Sequence, residues 1–137
     1  MLPEWRLFIK EVEGKKENLQ GADLGNKKLM GVNLAGADLT DADLSTSYLI
    51  KADLSKANLT NADLTGAVIS EANLKGANLE GAELDDAFLH GADLTDVVNL
   101  TCNQIDLAYF DNETKFPEYI QINRSSDKTF TCCEQED

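Results

Sequence analysis

Residues 36–64 read GADLTDADLSTSYLIKADLSKANLTNADL, and this stretch decides the fold. An apolar residue recurs at every fifth position from Leu19 to Leu94, which gives sixteen units without a slip. Fifteen of these central residues are Leu and one is Ile69, and the residue two positions earlier is Ala in twelve units. The segment from Glu17 to Asp96 therefore repeats one pattern of a small and a large apolar residue.

A period of five matches neither the 3.6-residue period of a helix nor the two-residue period of a strand. The chain must therefore bend once in every unit. The residue two positions after each centre is usually Gly, Asn or Asp, as at Gly21, Asn61 and Asp86, and these residue types favour turns. The pattern predicts short extended segments joined by corners, with the apolar residues inside.

The A-(D/N)-L-X-X units resemble those of the pentapeptide-repeat protein family, and they run from residue 17 to residue 96 of the 137-residue chain. The resemblance implies an all-β solenoid, namely a right-handed quadrilateral β-helix of about four coils with twenty residues in each coil. It also implies that the Ala and Leu positions line the interior. The interior positions that we select are Ala22, Leu24, Leu39, Ala42, Leu44, Ala62, Leu64, Ile69 and Leu84.

Both ends of such a solenoid need a cover, because an open coil exposes unpaired backbone groups and invites aggregation. Met1 to Gly14 reads as an amphipathic helix, and we expect Trp5 and Phe8 to cover the first coil. At the other end, Thr101 and Gln104 have the spacing of a capping box. We therefore expect a short helix from Thr101 to about Ala108, with residues 114–117 packed across it.

These features divide the chain into an N-terminal capping helix at 1–16, a solenoid at 17–96, a C-terminal cap with a short helix at 97–123 and a disordered acidic tail at 124–137. The tail is polar and has few apolar residues. Cys102, Cys132 and Cys133 show neither a disulfide framework nor metal-ligand spacing. We expect free thiols, with Cys102 buried in the cap, and a redox-active Cys132–Cys133 pair is the alternative.

Because a coil has twenty residues, residues twenty apart stack on one side of the solenoid. The residues preceding the centres give the first side at 18, 38, 58 and 78 and the fourth side at 33, 53, 73 and 93, all Asp or Asn. The second side carries an acidic ladder of Asp23, Asp43, Asp63 and Glu83. It can be a solvated face, a docking site for a basic partner or a site for a divalent cation. A flat ladder gathers fewer oxygens than calcium requires, so we expect no metal site.

The third side departs from this pattern, because apolar residues occupy positions that are polar elsewhere. Its apolar stripe consists of Met30, Tyr48, Ile50, Val68 and Phe88. Exposed apolar patches usually mark interfaces. Coverage by the N-terminal helix or by the C-terminal segment is the structural alternative.

Composition excludes several classes of function. The net charge of −13 disfavours binding to nucleic acid and to anionic membranes. Long apolar runs and the order of a secretory signal are missing from the sequence, so we expect the cytoplasm. One His and three Cys supply no nucleophile with an adjacent base, and no phosphate-binding loop or metal motif is present. We therefore expect no catalytic residue, no cofactor and no enzymatic activity.

The expected function is a non-catalytic protein–protein interaction module that presents a rigid acidic solenoid to a partner with a basic or apolar surface. A homodimer is a further option. The alternative comes from the resemblance, since some members of the family bind DNA gyrase by imitating duplex DNA. This chain is shorter than those members, has no loop between repeats, and lacks a strongly apolar C-terminal helix for dimerisation.

Overall fold

The computed structural model of the chain describes residues 1–124 and 130–135, which contain few helices and strands. Helix α1 spans Glu4–Glu13 and is followed by a short 3-10 turn at Lys16–Asn18. Helix α2 spans Cys102–Ile105. Strands β1 (Ile120–Arg124) and β2 (Phe130–Glu134) form an antiparallel pair. None of the helices in these ranges is both long and apolar enough for a transmembrane span.

The repeat region is held together by parallel β-bridges between residues twenty apart. These bridges form four ladders, and the second-side ladder joins Asp23, Asp43, Asp63 and Glu83 in sequence. Within that ladder the N–H of Leu44 donates to the carbonyl of Asp63 at 2.8 Å, and the N–H of Asp43 donates to the carbonyl of Ala22 at 2.9 Å. A unit between two coils is therefore hydrogen-bonded to the unit above it and to the unit below it.

The Leu and Ala positions fill the interior. Every central residue from Leu29 to Leu94 is at most 1 % exposed, and burying one such side chain contributes roughly 1.5–3 kcal/mol. Ser47 occupies an Ala position, and its buried hydroxyl donates to the carbonyl of Leu44 at 2.7 Å. Among the selected interior residues Ala22 is only half-buried, since it lies in the first coil. The others are buried, namely Leu24, Leu39, Ala42, Leu44, Ala62, Leu64, Ile69 and Leu84.

Every corner of the solenoid has left-handed backbone geometry. All sixteen residues at every fifth position from Gly21 to Asp96 have positive φ, from 53° at Thr46 to 71° at Gly31. Turn-forming residues occupy most corners. Four corners carry residues that the sequence pattern did not single out, namely Thr46, Lys51, Lys56 and Glu71.

At the N-terminal end, α1 lies over the first coil. Ile9 and Val12 are buried there, and the half-buried Trp5 and Phe8 pack against the core. The helix end also supplies a backbone partner, because the Glu13 carboxylate accepts the N–H of Asn33 at 2.8 Å. A side chain thus replaces part of the missing coil below the first one.

At the C-terminal end, the chain continues two ladders after a shift in register. Tyr109 bridges to Phe88 and Lys115 bridges to Asp93, so the offsets are 21 and 22 residues instead of twenty. Residues 114–117, which we expected to pack across α2, take part in this continuation of the ladders. Because Lys115 pairs with Asp93, this segment adds a rung to the fourth side.

Helix α2 takes the place of a further rung on the second side. The capping box of Thr101 and Gln104 is present, although the helix ends at Ile105 rather than near Ala108. The Gln104 amide also donates to the carbonyls of Leu79 at 2.7 Å and Ala82 at 2.9 Å. Gln104 therefore satisfies the Ala82 carbonyl, which the next rung would otherwise bind, as the N–H of Glu83 binds the Ala62 carbonyl one coil earlier.

The hairpin of β1 and β2 corrects two expectations about the cysteines and the tail. Cys102 and Cys132 form a disulfide with their Cα atoms 5.6 Å apart, so free thiols at these positions are wrong, and Cys133 is an exposed free cysteine. Residues 130–134 form β2 instead of a disordered tail, because Phe130 packs on Phe110 with ring centroids 4.7 Å apart. Residues 125–129 and 136–137 of the expected tail lie outside the described residues.

Replacing Lys56 with Gly should raise the free energy of unfolding by about 0.5–1 kcal/mol, because Gly relieves the left-handed strain at φ 58°. Urea denaturation measures this change. Lys75→Gly is the matched control, since Lys75 lies outside the corners and Gly should destabilise the protein there. Equal effects of both variants would contradict the role that we assign to the corners.

Replacing Cys132 with Ser should lower the free energy of unfolding by about 3 kcal/mol, because the disulfide closes a loop with a sequence separation of 30. The control is Cys133→Ser, which should change stability by less than about 0.5 kcal/mol. Thiol alkylation of the unreduced, denatured protein checks the pairing directly. Modification of all three cysteines would show that the disulfide is not formed.

Candidate interaction surface

The Asp and Asn residues of the repeat fasten the backbone. The Asp43 carboxylate accepts the N–H of Ser45 at 2.9 Å and the Ser45 hydroxyl at 2.6 Å. Hydrogen bonds from the Ser45 hydroxyl, which has the larger effect, and from the Ser45 N–H hold the pKa of the Asp43 carboxyl below its ordinary value. Similar bonds to the residue two positions later occur on the first and fourth sides, as at Asn58 and Asn73.

The hydrogen bond to the N–H two residues later explains why most positions of the acidic ladder are Asp. The carboxylates of Asp23 and Asp63 accept the N–H groups of Gly25 at 3.3 Å and Thr65 at 2.9 Å, as Asp43 does with Ser45. The structure therefore places the predicted residues in one column and gives three of the four a role within their own loops. In the described part of the chain, no group of three or more His, Cys, Asp or Glu side chains could hold a metal ion.

The third side replaces this hydrogen bond with apolar surface. Its bridged positions are Lys28, Tyr48, Val68, Phe88 and Tyr109, and none of these side chains has the carboxylate or amide oxygen that fastens the other sides. A hydrogen bond of this kind contributes roughly 0.5–1.5 kcal/mol. The third side thus departs from the residue type that stabilises the repeat, so its apolar residues call for another explanation.

Tyr48, Val68, Phe88 and Tyr109 occupy successive bridged positions on this side, and we call these three aromatic residues and Val68 the aromatic column. Tyr48 is 45 %, Phe88 38 % and Tyr109 49 % exposed, whereas Val68 is half-buried. The rings of Phe88 and Tyr109 stack with centroids 5.1 Å apart and planes at 17°. The predicted stripe is therefore longer than the sequence suggested. Periodicity missed Tyr109 because it follows Phe88 by 21 residues.

Other residues of the predicted stripe lie beside the column. Met30 and Ile50 are half-buried at its edge, and the ring of His90 lies 6.3 Å from that of Phe88. Helix α1 packs on the first coil, and the hairpin packs on Phe110 at the opposite end. In the described ranges, α1 and the hairpin leave Tyr48 and Phe88 exposed, so these two segments do not cover the column.

Charge changes sign along the third side. At its first rung, Lys27 and Lys28 are exposed, and the Lys27 ammonium lies 5.6 Å from the Phe8 ring. At its last rungs, Asp86 is exposed beside Leu107, because the N–H of Asp86 donates to the Leu107 carbonyl at 2.9 Å. The aromatic column therefore runs from a basic end to an acidic end.

The fold and the repeat pattern agree with a known family model. The model described as "Pentapeptide repeats (8 copies)" matches residues 28–66 and 62–98, which together span more than half of the chain. The chain belongs to the pentapeptide-repeat family. Members of this family form right-handed β-helices and are in general structural or interaction proteins. A comparison with curated proteins found no match.

Solved structures of other pentapeptide-repeat proteins are similar to this chain. Rfr23 from the cyanobacterium Cyanothece 51142 is 34 % identical with a TM-score of 0.61, and the match covers 71 % of this chain and 65 % of Rfr23. A thylakoid-lumen protein of Arabidopsis thaliana is 26 % identical with a TM-score of 0.60, covering 84 % of this chain and 74 % of that protein. The chain thus spans slightly less than two thirds of Rfr23.

The plasmid-mediated fluoroquinolone resistance protein QnrB1 is less similar. A trypsin-treated form is 23 % identical with a TM-score of 0.43, and the match covers 69 % of this chain and 60 % of that protein. At this level of similarity QnrB1 supplies no argument about the partner of this chain.

Proposed function

We propose that this pentapeptide-repeat protein is a non-catalytic protein–protein interaction module. The observation that supports the proposal is the exposed aromatic column on the one side of the repeat that lacks the fastening Asp or Asn. Stacked exposed rings add apolar area that a partner can remove from water. The acidic flank at Asp86 and the acidic ladder would attract a partner with basic residues around an apolar centre.

Rigidity is the mechanism that we propose for this module. The column residues belong to bridged ladders, and the N–H groups of Tyr48 and Phe88 each donate to a backbone carbonyl at 2.9 Å. Their backbone is therefore fixed before a partner arrives. A preorganised surface loses little conformational entropy on docking, so more of the contact energy appears as affinity.

Three finer features belong to the same proposal. We infer a right-handed quadrilateral solenoid of about four coils at 17–96, a capping helix within 1–16 and a C-terminal cap at 97–123. In this proposal the cap also includes β2, which lies beyond residue 123. The compartment stays a prediction, since the sequence favoured the cytoplasm whereas a disulfide such as Cys102–Cys132 is typical of oxidising compartments.

Replacing Phe88 or Tyr48 with Asp should abolish capture of the partner, because a charge at the centre of an apolar contact is left desolvated. The measurement is an affinity capture from cells that make the protein, followed by mass spectrometry. Asn58→Asp is the matched control, because it adds the same charge at the equivalent position of the first side.

Captured proteins common to wild type and Asn58→Asp but missing from both column variants are the expected result. Melting curves of all variants should stay close to that of the wild type, because Tyr48 and Phe88 are partly exposed. If the column variants retain every captured protein, the column is not an interaction surface.

The second candidate function is imitation of duplex DNA, as in a binder of gyrase. The observation that favours it is charge density: residues 17–96 contain fourteen acids and five bases, a net charge of −9. Over four coils at about 4.8 Å each, this is about one charge per 2 Å, close to the value of about 1.7 Å for duplex DNA. The carboxylates of Asp23, Asp43 and Asp63 each accept a backbone N–H of their own loop, and this structural role explains their presence without DNA mimicry.

A gyrase supercoiling assay distinguishes the two candidates. Under the leading proposal, this protein at micromolar concentration should leave supercoiling unchanged, because the acidic ladder stabilises the loops of the repeat and does not bind gyrase. Inhibition by the wild type that is lost in Asp43→Asn and Asp63→Asn, which keep the fastening oxygen but remove the charge, would establish mimicry instead.

A further inference from the structure

We propose that the aromatic column binds a second copy of this chain, in an antiparallel face-to-face homodimer. This inference rests on the proposed function of the third side as an interaction surface. The distribution of charge around the column favours a second copy as the partner.

Basic and acidic residues lie at opposite ends of the third side. Lys28 occupies the first bridged position of the column itself, and Lys27 precedes it in the chain. Asp85 and Asp86 precede Phe88, which lies three rungs later. Asp106, next to Leu107, extends this acidic end by one rung. All five charged residues are exposed.

A two-fold axis in the interface and perpendicular to the column brings these ends together. That rotation reverses the direction of the column but keeps each residue on the same lateral edge. With the axis between Tyr48 and Val68, Tyr48 meets Val68 of the second copy and Lys28 meets Phe88 of the second copy. Lys28 then faces the acidic end, with Asp85 and Asp86 of the second copy beside it. A parallel arrangement would instead bring the two basic ends together at the same level.

Charge complementarity also favours a second copy over a uniformly basic partner. A basic surface would be attracted by Asp86 and Asp106 but repelled by Lys27 and Lys28 at the other end of the same column. A second copy satisfies both ends, because a two-fold interface repeats each contact. A two-fold interface requires a self-complementary surface. The apolar middle of the column at Tyr48, Val68 and Phe88 meets this requirement, because apolar side chains pack on apolar side chains.

The dimer should be weak and sensitive to salt. Five bridged rungs at about 4.8 Å extend for about 19 Å, which is short for a standard interface of about 800 Å² per partner. The net charge of −13 on each copy also opposes association at long range. We expect a monomer–dimer equilibrium with a dissociation constant in the micromolar range.

A charge-swap experiment tests the arrangement by sedimentation velocity, with protein from about 5 to about 500 µM. Lys28→Glu and Asp86→Lys should each weaken dimerisation at least about tenfold, because like charges then face each other twice. The double variant Lys28→Glu with Asp86→Lys should regain the wild-type constant within about threefold. Lys56→Glu, the same change at a corner away from the third side, is the control and should dimerise like the wild type.

A wild type that stays monomeric at every concentration overturns the inference. So does a double variant as weak as the single ones, or a dimer that Phe88→Asp leaves unchanged, since each places the contact elsewhere. If the wild type is monomeric but Phe88→Asp still loses captured proteins, the interaction function stands and only the choice of occupant fails. Thermal melting at low concentration verifies that every variant is folded.

Discussion

The left-handed corner at every fifth residue is the constraint on which the structure depends. Each corner ends one side and begins the next, and it thereby sets the spacing that places Leu and Ala inside. Glycine, which adopts this geometry without strain, occupies only seven of the sixteen corners. At Thr46, Lys56 and Glu71 the geometry opposes local preference by about 1–2 kcal/mol, so the ladders impose it.

The hydrogen bond from a backbone N–H to the Asp or Asn side chain distinguishes the polar residues that stabilise the fold from the outward residues that the fold does not need. On three sides the polar residue before Leu accepts a backbone N–H from its own loop, as at Asp43 and Asn58. An acidic surface follows from that structural role without any need for a ligand. Tyr48 and Phe88 cannot make this bond, and they are therefore the residues that point to recognition.

Much of the fold was predictable from the sequence because its signals are periodic. The five-residue repeat predicted the buried Leu positions, the family resemblance implied the twenty-residue spacing, and the spacing of Thr101 and Gln104 predicted the capping box. Periodicity fails where the register shifts, and it missed Tyr109 and the rung at Lys115 for that reason. The Cys102–Cys132 pairing was missed because it depends on a hairpin that brings distant segments together, and residue spacing carries no information about that contact.

The unequal lengths of the ladders have a consequence for growth of the repeat. The third and fourth sides continue to Tyr109 and Lys115, whereas α2 follows the second side at Glu83. The C-terminal end is therefore a stair and not a flat plane. Two such ends cannot pair in register on all four sides, so the one extra residue before Tyr109 and the further one before Lys115 oppose end-to-end growth. A uniform repeat would instead present a template for fibrils.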